Sequence, residues 1–165
     1  MSSANHDRAA ALSVQLAQAH DELRRRLARI RAGLGERRLT DDSLATHCLA
    51  FCSALTAHHH SEDAGMFAGL LDARPDLAPT VAKLVEDHGL IAGILARVAD
   101  LADRAATAGP GPARDAIGGE LDGLAAIMES HFRYEERALG RALDAGVADD
   151  GWSAGVFRFR PESAG

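Results

Sequence analysis

Cysteine is almost missing from this 165-residue chain: Cys48 and Cys52 stand alone, four residues apart. One turn of helix does not present two thiols in disulfide geometry, so both are expected to be reduced and structural. Aromatic residues make up only 4% of the chain, with one Trp and one Tyr. That scarcity, beside abundant Ala, Leu and Arg, favours helix over sheet. No apolar run approaches the roughly 20 residues of a membrane span, and no signal peptide is recognisable. A cytoplasmic protein without membrane attachment is expected. Positive charge is also short: 18 Lys and Arg against 24 Asp and Glu give a net charge of −6. General nucleic-acid binding is thereby disfavoured. The local exception is RRRLARIRAGLGERR, Arg24 to Arg38. It reads as a solvated helix face whose cations suit a helix C-terminus, in preference to an anion-binding patch.

What is present is ordinary for one globular domain, with 47% hydrophobic and 25% charged residues. Gly and Pro punctuate the chain at AGLGERRLTDDS, DARPDLAP, AGPGPA and DAGVADDG. Apolar spacings of 3 and 4 between these breaks predict helices over about 6–34, 42–73, 78–107 and 113–145. Short connections make neighbours antiparallel, so an all-α, up-down-up-down four-helix bundle over 1–145 is expected. Residues 146–165 form a C-terminal segment. It either packs back through Trp152, Phe157 and Phe159 or remains a disordered tail.

The second and fourth helices repeat each other at an offset of 73 residues. Leu44, Cys48, Phe51, Leu55, His58, Glu62, Met66 and Leu70 pair with Ile117, Leu121, Leu124, Met128, His131, Glu135, Leu139 and Leu143. Each step is 3 or 4 residues, which makes one inward stripe. The first and third helices repeat at an offset of 68, where His20, Leu23 and Leu27 pair with His88, Ile91 and Leu95. The chain thus reads as two helical hairpins of one plan, each carrying His and then His-x-x-x-Glu.

Residues i and i+4 share a helix face, so His58 with Glu62, and His131 with Glu135, can aim at one centre. Asp63 and Glu136, at i+5, fall on another face. Height agrees. At about 1.5 Å per residue, His20 lies about 21 Å before Leu34, and His58 about 24 Å after Asp42. His88 lies about 28 Å before Thr107, and His131 about 27 Å after Ala113. Four imidazoles and two carboxylates are costly to bury without partners, and at one level they make a metal site. His59 could replace His58 as a ligand, paired with Asp63. His60 and His6 are expected to face solvent. His47 is too far away, and Tyr134 is expected to pack. Gly65, Gly69, Gly89 and Gly93 flank the ligands, and either a gas path or close helix packing would account for them.

His20, HHHSE from His58 to Glu62, DHG at His88 and HFRYE from His131 to Glu135 resemble the hemerythrin-like (HHE cation-binding) family over about residues 15–145. The resemblance implies a four-helix bundle holding two non-haem irons, oxo- or hydroxo-bridged, with Glu62 and Glu135 spanning them. Oxygen-carrying hemerythrins have a further histidine one turn from the third-helix ligand, where this chain has Leu84 and Ala92. The count of His20, His58, His88 and His131 then leaves an open position on each iron. Reaction with oxygen, peroxide or nitric oxide is expected behind an apolar wall of Leu23, Phe51, Leu55, Ile91 and Met128. A role in oxidative or nitrosative stress or iron handling follows from the same resemblance. A non-catalytic iron or oxygen sensor, or a metal store, is the alternative. Zinc or manganese could occupy the same ligands. An interaction scaffold fits poorly, because apolar residues would pack better there. No separate proton donor is evident, and the redox partner and oligomeric state are not encoded legibly.

Overall fold

The computed structural model describes residues 10–35, 41–108 and 112–161. The first helix, α1, runs Leu12–Gly35, and α2 runs Asp41–Ser61. A π-helical turn, Glu62–Met66, joins α2 to α3, Phe67–Ala73, so that 41–73 is one continuous rod. After a 3-10 turn at Pro75–Leu77 come α4, Ala78–Ala108, and α5, Pro112–Ala145. A short α6, Trp152–Phe157, closes the series. The described residues contain helix and no strand.

Local chemistry explains the ends. Arg74 leaves helical geometry at φ −137 and ψ 77 because the following Pro75 disfavours the α conformation before it. Gly146 stops α5 with φ +113, a left-handed conformation that glycine adopts without cost. Helix α1 begins later than the expected residue 6. Residues 1–9 lie outside the described residues, but Ala10 and Ala11 are already non-helical. The helix starts where Asp144 of α5 accepts hydrogen bonds from the Ser13 backbone N–H and hydroxyl, filling the orphan donors of a first turn.

α1 packs on α2 and α5, and α4 packs on the same two, which closes a ring of long rods. Every residue of both eight-member stripe halves, from Leu44 to Leu70 and from Ile117 to Leu143, is buried. The polar level divides the apolar interior into two clusters. One gathers Leu23, Phe51, Leu55, Ile91, Met128 and Phe132, and the other gathers Leu16, Met66, Leu84, Leu139, Trp152 and Val156. Cys48 and Cys52 are free and buried in the first cluster, and burial pushes their thiols up to about 12 and about 11.

The arginine run of α1 is largely ion-paired. Arg24 reaches Asp21, Glu129 and Glu136, Arg25 and Arg26 reach Glu22, and Arg31 reaches Asp122. Arg37 and Arg38, at its end, lie outside the described residues.

α6 belongs to the packed body. Trp152 and Val156 are buried, with Phe157 and Phe159 half-buried. Glycines admit it. A Cβ at Gly65 would lie 2.3 Å from Trp152 Cβ, one at Gly69 2.8 Å from Val147 Cγ1, and one at Gly155 2.1 Å from Ser61 Oγ. Close packing of this segment therefore accounts for Gly65 and Gly69. Gly89 meets nothing within 4 Å and Gly93 only the end of Arg97.

Candidate metal centre

α1 contributes His20, α4 His88, and α5 the pair His131 and Glu135. The end of α2 and its π turn contribute His58, His59 and Glu62. All seven are buried. They form two groups of ligand atoms, each within 4.8 Å: His20, His58, Glu62 and Glu135 in one, and His59, His88 and His131 in the other. Ions held at about 2.0–2.2 Å by such nitrogens and oxygens draw ligands to similar spans. The six residues expected from the sequence are thus brought together, and His59 joins them instead of replacing His58.

His58 and His59 are neighbours about 100° apart on α2, and the inward direction falls between them. His58 leans toward α1, with its ring centroid 5.3 Å from that of His20. His59 leans toward α4 and stacks on His88 at 3.7 Å with planes 12° apart. Both sides of this helix therefore face the centre.

The carboxylates lie between the groups. Glu62 Oε1 is 3.4 Å from His58 Nε2 and 3.4 Å from His88 Nε2. Glu135 presents Oε1 to His20 Nε2 at 3.8 Å and Oε2 to His131 Nε2 at 3.2 Å. Each acid thus reaches histidines on both sides.

Outer contacts fix the rings. His20 Nδ1–H donates to Glu136 at 3.1 Å, and His58 Nδ1–H donates to the Val156 carbonyl at 2.7 Å. His88 Nδ1–H donates to Asp63 at 2.8 Å, and His131 Nδ1–H donates to Asp87 at 3.1 Å. Carboxylates and carbonyls only accept, so Nδ1 carries the proton and Nε2 turns a lone pair inward. The Nε2 atoms of His88 and His131 then face each other at 3.1 Å, a contact that a shared proton or metal cation makes favourable. The inward atoms Nε2 of His20, His58 and His59, and all four oxygens of Glu62 and Glu135, are buried without a hydrogen-bond partner. Orphaned buried acceptors on this scale are costly in a native core. Bound metal would satisfy them.

The family comparison agrees with this donor set. The family model for the hemerythrin HHE cation-binding domain matches residues 12–143. The chain belongs to that family. Comparison with curated proteins and with solved structures gave no match. In this hemerythrin-like chain the match covers all seven inward side chains but stops before α6, which supplies the carbonyl that orients His58.

Burial keeps His58 neutral, with its pKa lowered to about 3, and His20 beside it adds to the effect. His59 is held well below its ordinary value by burial and by the charge of His88. Burial and the adjacent Glu135 carboxylate push Glu62 well above the usual range. Burial would raise Glu135 as well, but its contacts with Glu62 and His131 hold it well below. Burial acts to lower His131, but Glu135 and Asp87 outweigh it and raise the imidazole.

Several contributors were hidden in the sequence. Asp63 and Glu136 do point away from the centre, as i+5 spacing requires, yet each holds the outer nitrogen of an inward histidine. Asp87, directly before His88, does the same for His131. The available signal was a second i, i+4 pair, His59 with Asp63, overlapping the first. The remaining histidines stand apart: His60 is exposed, His47 lines a separate surface cleft, and His6 lies outside the described residues. Tyr134 is half-buried under Lys83 and packs against the second apolar cluster.

Proposed function

We propose that the chain holds two non-haem irons on an antiparallel up-down-up-down frame and binds or reacts with a small oxidant or gas. The observation that carries this reading is the double reach of Glu62 and Glu135. Each lies within 3.8 Å of a histidine in the two-histidine group and of one in the three-histidine group, which supports a bridging role. His20 and His58 would hold one ion, and His59, His88 and His131 the other. Bound iron would supply redox chemistry and coordination for O2, peroxide or nitric oxide.

His59 revises the ligand count. With three histidines, two carboxylate oxygens and a bridging group, the second ion would be six-coordinate. The first, with two histidines, would keep the single open position. Phe132 stacks on His20 at 3.8 Å and belongs to the same apolar cluster as Leu23, Leu55 and Met128. Neutral diatomic molecules and peroxide suit such surroundings better than charged substrates. These residues bind, orient and exclude water.

A second reading, reversible oxygen binding, gains support from His59, which restores the histidine missing at positions 84 and 92. Stopped-flow absorption of anaerobically reduced protein mixed with each gas separates the two. Rapid oxidation supports the reactive reading, and a long-lived reversible oxygen complex supports carriage. Metal analysis of freshly purified protein comes first, with about two irons per chain expected. One zinc, or no metal, would end the diiron proposal. Two irons inert to all three oxidants would favour sensing or storage.

A further inference from the structure

Outside the metal level, the described surface carries one cleft whose chemistry points to a ligand. It measures about 600 Å³ and opens between Arg26 of α1, the outer side of α2 from Thr46 to Ala57, and the chain from Gly155 to Pro161. That volume is in the range of small-molecule sites. Its floor is apolar, formed by Phe51, Phe159 and the alanines 50, 54 and 57. Its polar side carries Arg26, Arg158 and Arg160 with His47, and no Asp or Glu among the described residues lines it. On a chain of net charge −6, this is a local reversal of sign.

The arginines are arranged unequally. Arg26 is buried, with Nε donating to Glu22 at 2.8 Å and Nη2 donating to the Arg160 carbonyl at 2.9 Å. Its guanidinium lies 5.4 Å over the Phe159 ring, which fixes the wall of the cleft. Arg158 and Arg160 are exposed, and their side chains form no ion pair among the described residues. Guanidinium groups select carboxylate or phosphate oxygens through paired N–H donors.

We propose that this cleft binds an amphipathic organic anion, its apolar body against Phe51 and Phe159 and its carboxylate or phosphate head on Arg158 and Arg160. The site does not depend on the diiron reading. It does share a wall with the metal level: Phe159 lies 6.1 Å from the His58 ring, and Val156 of the same segment holds His58 Nδ1. An occupant therefore also braces the segment that orients His58.

The test is displacement of anilinonaphthalene sulfonate from the full chain by octanoate, octyl phosphate, octanamide and inorganic phosphate. The sole tryptophan, Trp152 in α6, gives a second fluorescence readout. Octanoate and octyl phosphate should displace the probe and shift the Trp152 emission, and the better competitor identifies the preferred head. Octanamide and inorganic phosphate should compete at least tenfold less well. The double variant Arg158→Gln/Arg160→Gln should lose at least tenfold in affinity with unchanged circular dichroism, and Arg158→Lys/Arg160→Lys should recover part of it. Ala54→Trp should block binding while keeping every charge. Equal competition by octanamide, or unchanged affinity in the double Gln variant, overturns the proposal. Binding seen only after deletion of residues 162–165 also overturns it, by making the chain's own end the occupant.

Discussion

His20 and His58 are backed by Glu136, which Arg24 also holds, and by a main-chain carbonyl from α6. His88 and His131 are backed by Asp63 and Asp87, acids at the protein surface with 37% and 19% of their side chains exposed. The two-histidine half is thus steadied in part by a segment outside the matched domain, whereas the acids behind both halves are in touch with water, Glu136 with 27% of its side chain exposed. The two-histidine half also faces Phe132 and the apolar cluster, where a neutral ligand would enter. On the proposed ligand count, the three-histidine half would have no open position. A division between a reactive and a structural ion would follow from this asymmetry, and each expected outcome tests one side of it.

The largest effect belongs to what the halves share. Glu62→Ala and Glu135→Ala should each lose both metals, leaving below about a fifth of the normal content by elemental analysis, since each carboxylate serves both sides. Loss of one metal alone would show that the acids are not bridges.

Next come the histidines. His59→Ala should empty or weaken the three-histidine half and open a position there, so that oxidation by peroxide, followed by stopped-flow absorption, changes rate. His58→Ala should damage the other half. His60→Ala should retain full metal content, because its side chain is exposed. A silent His59→Ala with a damaging His58→Ala would return the ligand count to six.

Much of this was legible because the apolar stripe obeys one rule over eight consecutive positions. The buried series from Leu44 to Leu70 has the same spacing as that from Ile117 to Leu143, and a polar residue inside such a series has to be explained. That His59 joins His58 instead of replacing it was not legible. A single inward stripe assumes that one face of a helix meets one neighbour, whereas α2 touches both α1 and α4 across the centre. The π turn was hidden as well, since Glu62 to Met66 carries ordinary helix formers around Gly65 and the turn is set by tertiary packing. Val156 was the least legible of all. A backbone carbonyl leaves no residue-type signal, and only the docking of Trp152 against Gly65 brings it to His58.

The outer contacts should have smaller effects that separate the halves. Asp63→Asn or Asp87→Asn should weaken metal retention by about 10–100-fold, as removal of such supports generally does, and chiefly in the three-histidine half. Gly65→Ala should act on the other half. Its Cβ would overlap Trp152, push α6 outward and cost about 1–3 kcal/mol in thermal or denaturant unfolding. Competition with a chelator, read as two phases of metal release, distinguishes these variants. Equal effects on both phases would mean that the supports are not divided as the contacts suggest.

The smallest effect is the order in which the halves empty as pH falls. A ligand nitrogen has to be free of its proton to bind metal, so a raised imidazole pKa brings proton competition nearer to neutrality and a lowered one removes it. His131 is raised by Glu135 and Asp87, and it belongs to the three-histidine half. His58, lowered to about 3, is already neutral throughout the range from pH 8 to 5 and adds no competition to the two-histidine half. Glu62 is raised and shared, so its proton opposes metal equally on both sides. Acidification should therefore release metal first from the His59–His88–His131 half, with about one extra proton in its pH dependence, or roughly tenfold in affinity per pH unit. Asp87→Asn removes one source of the shift and should bring the two release curves closer together. Dialysis of the metal-loaded protein at stepped pH, with metal content and spectrum recorded at each step, measures both curves. Earlier release from the His20–His58 half would mean that exposure of the centre, and not imidazole protonation, governs metal loss.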